Sequence, residues 1–188
     1  MHKVYFLLGG ARSGKSFYAE ELASSISSQV AYLATARVTD KEMEKRIEAH
    51  KKRRPKGWKT IELGGSIELK DLEQLDIRGC EVLIVDCVTN LLYRFLEKYR
   101  LDELDIIPND LEQKIEGEVS QLFESFYKFL QSADATIIIV SNEVGMGLVP
   151  PYPLGRIFRD LMGTVNKQLA SLSDEAYFFI AGIRQRLK

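Results

Sequence analysis

Short apolar runs alternate with longer amphipathic stretches along the chain. Five runs of four or five residues are apolar at consecutive positions and rich in Val, Ile, Tyr and Phe, which is typical of strands covered on both faces. These runs span residues 4–8, 30–34, 82–85, 136–140 and 177–180. The pattern therefore predicts a buried, largely parallel sheet.

The stretches between these runs have the periodicity of helices. The clearest begins at Pro108 and carries one apolar stripe at spacings of three and four, formed by Leu111, Ile115, Val119, Leu122, Phe126 and Leu130. Further helices are predicted over residues 15–27, 40–54, 90–99 and 154–172, the second of them opened by a capping box of Thr39 and Glu42. Because parallel neighbouring strands need helical crossovers, the predicted fold is a doubly wound α/β sheet in a single domain, residues 1–188.

Composition excludes several classes of partner. The chain has 188 residues and a formal net charge of −1, which argues against binding to nucleic acid or to an anionic membrane surface. Its longest apolar run, residues 135–140, is far shorter than the ~20 residues of a membrane span, and no targeting segment is visible. Cys80 and Cys87 flank one predicted strand and are interpreted as buried, reduced thiols of a cytoplasmic protein.

A phosphate-binding motif follows the first predicted strand. The residues Gly9, Gly10, Ala11, Arg12, Ser13, Gly14, Lys15 and Ser16 fit the pattern G-x-x-x-x-G-K-[ST] between a strand and a helix. The glycines allow backbone N–H groups to surround phosphate oxygens, Lys15 reaches the β- and γ-phosphates, and the Ser16 hydroxyl is a ligand for Mg²⁺. The motif predicts a site for a nucleoside triphosphate.

A carboxylate ends the predicted strand that begins at residue 82. Asp86 is expected at the carboxyl edge of the sheet, where ligands bind in open α/β folds, and is a candidate to hold Mg²⁺ or its water ligands. The alternative is that Asp86 caps the helix that follows.

His50 is a candidate nucleophile at the start of a basic run. It shares a helix face with Met43 and Ile47, and residues 41–59 contain nine basic and three acidic residues. Neighbouring cations favour neutral imidazole, the form that can attack phosphorus. The competing interpretations are a core histidine on an apolar stripe and an ordinary solvated basic helix face.

The chain resembles the bifunctional adenosylcobinamide kinase/adenosylcobinamide-phosphate guanylyltransferase family of cobalamin biosynthesis over nearly its full length. The matching segments, besides the phosphate loop and His50, are Ala34-Thr35-Ala36, Arg54-Pro55 with Trp58, Val85-Asp86-Cys87, Ser141-Asn142-Glu143-Val144-Gly145-Met146-Gly147 and Phe158-Arg159-Asp160. The resemblance implies a RecA-like P-loop fold with a mostly parallel central sheet flanked by helices, commonly a homotrimer. It also implies a corrinoid substrate, ATP or GTP as phosphoryl donor, GTP as GMP donor, and Mg²⁺.

The resemblance further implies residue roles. His50 corresponds to the guanylylated histidine, with Lys15 as the second catalytic residue and Ser16 and Asp86 at the metal. The implied nucleotide contacts are the loop from Gly9 to Ser16 together with Ala34, Thr35, Ala36, Lys51, Lys52, Arg53, Arg54, Glu62 and Asp86. Glu62 would accept hydrogen bonds from guanine.

Two segments depart from the family pattern, and both are expected on the corrinoid side of the site. About four residues that the family usually carries before Asn90 are missing here. After Val149-Pro150, the segment Pro151-Tyr152-Pro153-Leu154-Gly155 stands where the family usually has Glu-Asn and small residues. A monofunctional small-molecule P-loop kinase and a non-enzymatic nucleotide sensor are therefore kept as alternatives.

Overall fold

The computed structural model describes residues 2–63 and 75–188, without the side chain of Arg46. The strands in this part of the chain are β1 (Val4–Gly9), β2 (Val30–Ala34), β3 (Lys59–Glu62), β4 (Val82–Asp86), β5 (Thr136–Asn142), β6 (Glu175–Ile180) and β7 (Ile183–Arg186). They form one sheet in the order β3-β2-β4-β5-β1-β6-β7. All neighbours pair in parallel except β6 and β7, which are antiparallel.

Helices cover both faces of this sheet. They are α1 (Lys15–Ile26), α2 (Lys41–Arg53), α3 (Val88–Leu96), α4 (Asn109–Ser132) and α5 (Pro153–Leu172). Side chains alternate along each central strand, so Leu83 and Val85 of β4 pack against α3, α4 and α5. Val82 and Ile84 belong to the opposite layer, which includes α1. This two-layer burial explains why the inner strands are apolar at consecutive positions.

The predicted parallel α/β sheet is confirmed, and the five predicted strands are present with ends within two residues of those expected. Two edge strands were missed. The residues of β3 are mostly exposed, and those of β7 are exposed throughout. Neither has a buried face, so neither produces the apolar run from which strands were predicted. The connection from β6 to β7 is the pair Ala181 and Gly182, both with positive φ, which suits a tight hairpin turn.

The predicted helices are also present, with shifted ends. The prediction of Thr39 as the cap of α2 is wrong, because Asp40 is the N-cap residue and accepts a 2.8 Å hydrogen bond from the Met43 N–H. Helix α3 begins at Val88 rather than at Asn90. Cys87 is buried as expected, whereas Cys80 is only half-buried. Among the described residues, no helix is long and apolar enough to cross a bilayer.

Gly9 is required where β1 passes into the phosphate loop. A Cβ atom at Gly9 would lie 2.3 Å from the carbonyl oxygen of Phe179 on the adjacent strand β6, at a φ of +154°. We expect Gly9→Ala to destabilise the protein by about 1–3 kcal/mol, because two backbones must separate. Thermal unfolding should show a lower Tm. Gly10→Ala is the matched control, since a Cβ atom there meets nothing within 4 Å; equal Tm values for the two variants would contradict this reason.

Candidate nucleotide site

A strand-end cavity lies at the carboxyl ends of the parallel strands, where open α/β sheets bind their ligands. Its volume is about 530 Å³. Residues from the phosphate loop, from the ends of β2, β4 and β5, and from one face of α2 line it. The predicted site residues among them are Ala11, Arg12, Lys15, Ser16, Ala34, Ala36, His50, Lys51, Arg54, Glu62 and Asp86.

The phosphate loop folds around its own lysine. The Lys15 ammonium donates a 2.7 Å hydrogen bond to the carbonyl oxygen of Gly10, and the residue is only 6% exposed. Burial lowers the pKa of Lys15, and the nearby Cys87 and Asp86 oppose that shift. Ser13 is also buried, and its hydroxyl has no hydrogen-bond partner among the described residues. A buried cation and an unpartnered hydroxyl in a loop that precedes a helix suit an anionic ligand.

A second groove of about 430 Å³ also borders the phosphate loop. It is lined by Ser13, Gly14, Phe17 and Arg53, and it shares several residues with the strand-end cavity, namely Ala11, Arg12, Lys15, Ser16 and His50. His50 therefore lies where the two cavities meet. The imidazole therefore borders the same space as the phosphate loop.

The His50 imidazole is held by an arginine. The Nη2 atom of Arg53 lies 3.2 Å from Nδ1 of His50 and 3.3 Å from a carboxylate oxygen of Glu20, which is itself buried. Because a guanidinium group only donates hydrogen bonds, Nδ1 is the acceptor, and the proton of the neutral ring is on Nε2.

The pKa of His50 is lowered, as the sequence predicted, but the main cause differs. Burial of the imidazole is the largest contribution. Asp86 and Glu20 raise the pKa, whereas Arg53 and Arg54 lower it, so the neighbouring charges largely oppose one another. Burial therefore further favours the neutral form of a ring whose ordinary pKa is already below 7.

Asp86 faces the cavity and does not cap a helix. The N-cap residue of α3 is Cys87, which makes no side-chain capping bond. One carboxylate oxygen of Asp86 accepts a 2.5 Å hydrogen bond from the hydroxyl of Tyr32, a buried residue of β2. Burial and the adjacent carboxylate raise the pKa of Tyr32 well above its ordinary range, so the phenol remains a donor.

Two further contacts shape the ends of β2 and β3. The Thr35 hydroxyl both accepts from the N–H and donates to the carbonyl oxygen of Cys87, at 2.7 Å each. Arg94 donates to the carbonyl oxygens of Thr35 and Leu63, both at 2.9 Å. Glu62 lines the cavity with a side chain that is 55% exposed, and its carboxylate pairs with the Lys51 ammonium at 2.6 Å.

The predicted residues are therefore brought together with few exceptions. Gly9, Gly10, Thr35 and Lys52 line neither described cavity. The two glycines act through backbone position, and Thr35 acts through its hydroxyl bonds to the backbone of Cys87. Lys52 is exposed two residues beyond His50, on another side of α2. Sequence reasoning missed the cavity residues Tyr32, Arg37, Val38, Leu63, Asn90 and Asn142. Asn142 could have been predicted as a site residue, since it belongs to the family motif that follows the predicted strand over residues 136–140.

The sequence pattern of the cobinamide kinase / cobinamide phosphate guanyltransferase family matches residues 5–187. The chain belongs to this family. It is 41% identical over 189 residues to the bifunctional adenosylcobalamin biosynthesis protein CobU of Escherichia coli strain K12, covering 98% of this chain and 99% of that protein. Its identity to CobP of Pseudomonas aeruginosa is 35%, over 97% of this chain and 95% of that protein. These relatives support the bifunctional assignment over a monofunctional kinase.

Solved structures with low sequence identity share the fold. The flagellar accessory protein FlaH of Methanocaldococcus jannaschii has a TM-score of 0.52 at 15% identity, covering 99% of this chain and 78% of that one. The ATPase EscN of enteropathogenic E. coli has a TM-score of 0.56 at 14% identity, covering 96% and 43%. The predicted RecA-like P-loop NTPase fold of this family member is thereby confirmed.

Proposed function

We propose that this protein phosphorylates adenosylcobinamide with ATP or GTP and then transfers GMP from GTP to adenosylcobinamide phosphate through a guanylylated His50. The product is adenosylcobinamide-GDP. The observation that carries the proposal is the position of His50 on the two cavities that border the phosphate loop. Incubation with GTP labelled on the α-phosphate tests it, because only a guanylyltransferase of this kind acquires covalent label.

The first transfer uses the lone pair of a neutral imidazole nitrogen. The nitrogen attacks the α-phosphorus of GTP, a P–N bond forms, and the bond from the α-phosphorus to the bridging oxygen breaks. Pyrophosphate leaves with the electron pair, and Lys15 neutralises part of its charge. Arg53 must release Nδ1 before that nitrogen can attack, and its guanidinium then becomes available to phosphate oxygens.

The second transfer returns the histidine to its starting form. A phosphate oxygen of the corrinoid substrate attacks the same phosphorus, the P–N bond breaks, and its electron pair goes back to the ring. In the kinase step, the aminopropanol hydroxyl of the corrinoid attacks the γ-phosphorus and gives its proton to solvent. The bond from the γ-phosphorus to the β–γ bridging oxygen breaks, and the nucleoside diphosphate leaves with the electron pair. The kinase reaction and guanylyl transfer both require the phosphate loop, but only guanylyl transfer requires His50.

The residues present suit Mg²⁺ bound together with nucleotide. No group of three or more His, Cys, Asp or Glu side chains in residues 2–63 and 75–188 is placed to hold a metal ion unaided. Mg²⁺ commonly uses one or two protein oxygens and takes its other ligands from phosphates and water. The Ser16 hydroxyl and the Asp86 carboxylate, which share the cavity, would hold it. When bound, the ion neutralises charge on the transferred phosphoryl group.

Glu62 is proposed to select guanine. Its carboxylate can accept hydrogen bonds from the N1–H and 2-amino groups of guanine, donors that adenine lacks. The ion pair between Lys51 and Glu62 must break before guanine can bind there. Glu62→Gln should lower the affinity for GTP relative to ATP roughly tenfold or more, since a hydrogen bond to a charged group contributes about 1.5–3 kcal/mol. Equilibrium binding of both nucleotides measures the ratio.

Glu48→Gln is the control for the Glu62 variant, because it removes the same charge from an exposed position that lines neither described cavity. The GTP/ATP affinity ratio of this control should equal that of the wild type. An unchanged ratio in Glu62→Gln would return Glu62 to an ordinary surface ion pair with Lys51.

The corrinoid is proposed as the small-molecule acceptor, in a homotrimeric enzyme of the cytoplasm. Light scattering on the purified protein tests the trimer, and a mass of one or two chains would exclude it.

The segment 151–155, which departs from the family pattern, leads into the beginning of α5. The guanidinium of Arg156 donates to the carbonyl oxygens of Pro150 and Pro151 at 3.2 and 2.9 Å, and Gly155 leaves room for the ring of Tyr152.

A further inference from the structure

Tyr32 connects two parts of the nucleotide site. Its hydroxyl donates to Oδ2 of Asp86 at 2.5 Å, and the residue is only 1% exposed. Strand β2 pairs with β4 so that Ala34 lies opposite Asp86, which places the phenol of Tyr32 one step deeper in the sheet than the carboxylate. The hydroxyl therefore occupies one oxygen of a carboxylate that also lines the cavity.

The same aromatic ring supports a cation. The guanidinium carbon of Arg54 lies 3.5 Å from the centroid of the Tyr32 ring, and the ring of Trp58 is stacked near it at 6.3 Å between centroids. The Nε and Nη1 atoms of Arg54 are buried and have no hydrogen-bond partner among the described residues. The ring face therefore fixes this guanidinium over the cavity without satisfying its donors.

We propose that Tyr32 is a positioning residue that holds the Asp86 carboxylate ready for the nucleotide-bound metal. The proposal rests on the proposed function in taking Asp86 as the metal-side carboxylate. A carboxylate beside Lys15 and Arg54 would otherwise turn toward one of these cations and form an ion pair. Such a pair would remove both an oxygen from the metal and a positive charge from the triphosphate. A neutral phenol satisfies one carboxylate oxygen without consuming either cation.

The variant Tyr32→Phe isolates the hydroxyl, because it keeps the ring on which Arg54 lies. Trp58 is the single tryptophan of the chain and stacks on this ring, so its fluorescence reports nucleotide binding without turnover. The probe is a GTP analogue with a methylene group between the α- and β-phosphorus, which His50 cannot cleave. Its dissociation constant is measured with and without Mg²⁺, together with the Mg²⁺ dependence of both half-reactions.

We expect the Mg²⁺ concentration for half-maximal tightening to rise at least about tenfold in Tyr32→Phe, as is typical when the partner of a metal-binding carboxylate is removed. Affinity for the analogue without Mg²⁺ should stay within about twofold of wild type, since Lys15 and Arg54 are unchanged. At saturating Mg²⁺ both half-reactions should recover most of their rate. A loss confined to Tm, with wild-type Mg²⁺ dependence, would overturn the proposal.

Tyr99→Phe is the matched control for a lost phenol–carboxylate bond. The Tyr99 hydroxyl donates to Glu118 at 2.6 Å, and neither residue lines the described nucleotide cavities. This variant should leave the Mg²⁺ dependence unchanged, and an equal shift in both variants would show that the effect is one of stability alone.

A double-mutant cycle decides whether Tyr32 acts through Asp86. In an Asp86→Asn background, Tyr32→Phe should have no further effect on Mg²⁺ dependence. Additive effects would overturn the positioning role while leaving the metal assignment intact. Nucleotide binding that ignores Mg²⁺ in the wild type would instead overturn the metal assignment, and the role of Tyr32 with it.

Discussion

His50→Ala is expected to abolish covalent attachment of GMP and to lower guanylyl transfer by several orders of magnitude. Loss of the nucleophile lowers turnover by up to about 10⁶-fold in other covalent enzymes. Phosphoryl transfer to the corrinoid should continue at a near wild-type rate, since that step needs only Lys15, the loop and the metal. Gel autoradiography after incubation with GTP labelled on the α-phosphate measures the first reaction, and γ-labelled ATP measures the second.

The chemistry of the label distinguishes a P–N bond from a P–O bond independently of mutation. A P–N bond to histidine is labile in acid and survives base, whereas a phosphodiester to Ser, Thr or Tyr tolerates acid. His50→Asn, which fills similar space without a nucleophilic nitrogen, controls for disturbance of α2. An acid-stable label on the wild type, or a label that persists in both variants, would remove His50 from the mechanism.

The rate of labelling should also depend on pH in a defined direction. Burial lowers the pKa of His50 from its ordinary value of 6.5, so the attacking neutral form predominates at pH 7. Protonation of the ring removes the lone pair, and the labelling rate should therefore fall only at pH values below that ordinary range. A labelling rate that still rises between pH 7 and pH 8, as an unshifted or raised pKa would allow, would contradict the burial of His50.

Much of this fold could be predicted because its central strands are buried on both faces. Runs such as residues 82–85 and 136–140 are apolar throughout, and the motif that follows residue 8 identifies the loop and the helix after it. The edge strand β3 and the hairpin strand β7 could not be predicted from apolar runs, since their side chains are mostly exposed. The hairpin has a weaker signal in Gly182, which suits the positive φ of the turn.

Side-chain partners within the site depend on register and helical phase, which the motifs do not contain. Tyr32 is indistinguishable from a core residue in sequence, and its bond to Asp86 exists only because β2 and β4 are neighbours. Helical phase could have been used further. Residues three and four positions beyond His50 share its side of α2, which selects Arg53 and Arg54 over Lys52 from the basic run.

Lys15→Ala should lower both half-reactions by about 10²–10³-fold, the usual cost of removing one donor from a site where charge develops. The ammonium is nearly enclosed by the loop, and its bond to the Gly10 carbonyl holds it at the floor of both cavities. Because both γ-phosphoryl and guanylyl transfer pass through this loop, the two rates should fall together. This common loss distinguishes Lys15 from His50, whose removal should affect one reaction alone.

Stability should respond to Lys15→Ala in the opposite direction from activity. Burial lowers the pKa of Lys15, so folding disfavours its charged form, and this cost is present at neutral pH and disappears as the pH rises toward the ordinary lysine range. Removing the ammonium relieves that cost, and the Tm at pH 7 should be unchanged or higher.

Lys45→Ala is the control, because Lys45 is exposed on α2 and lines neither described cavity. This variant should leave both rates at wild-type values. Normal kinase and guanylyltransferase rates in Lys15→Ala would show that the loop does not bind the triphosphate. Lost rates with an intact or raised Tm would show that the variant folds but no longer positions the nucleotide.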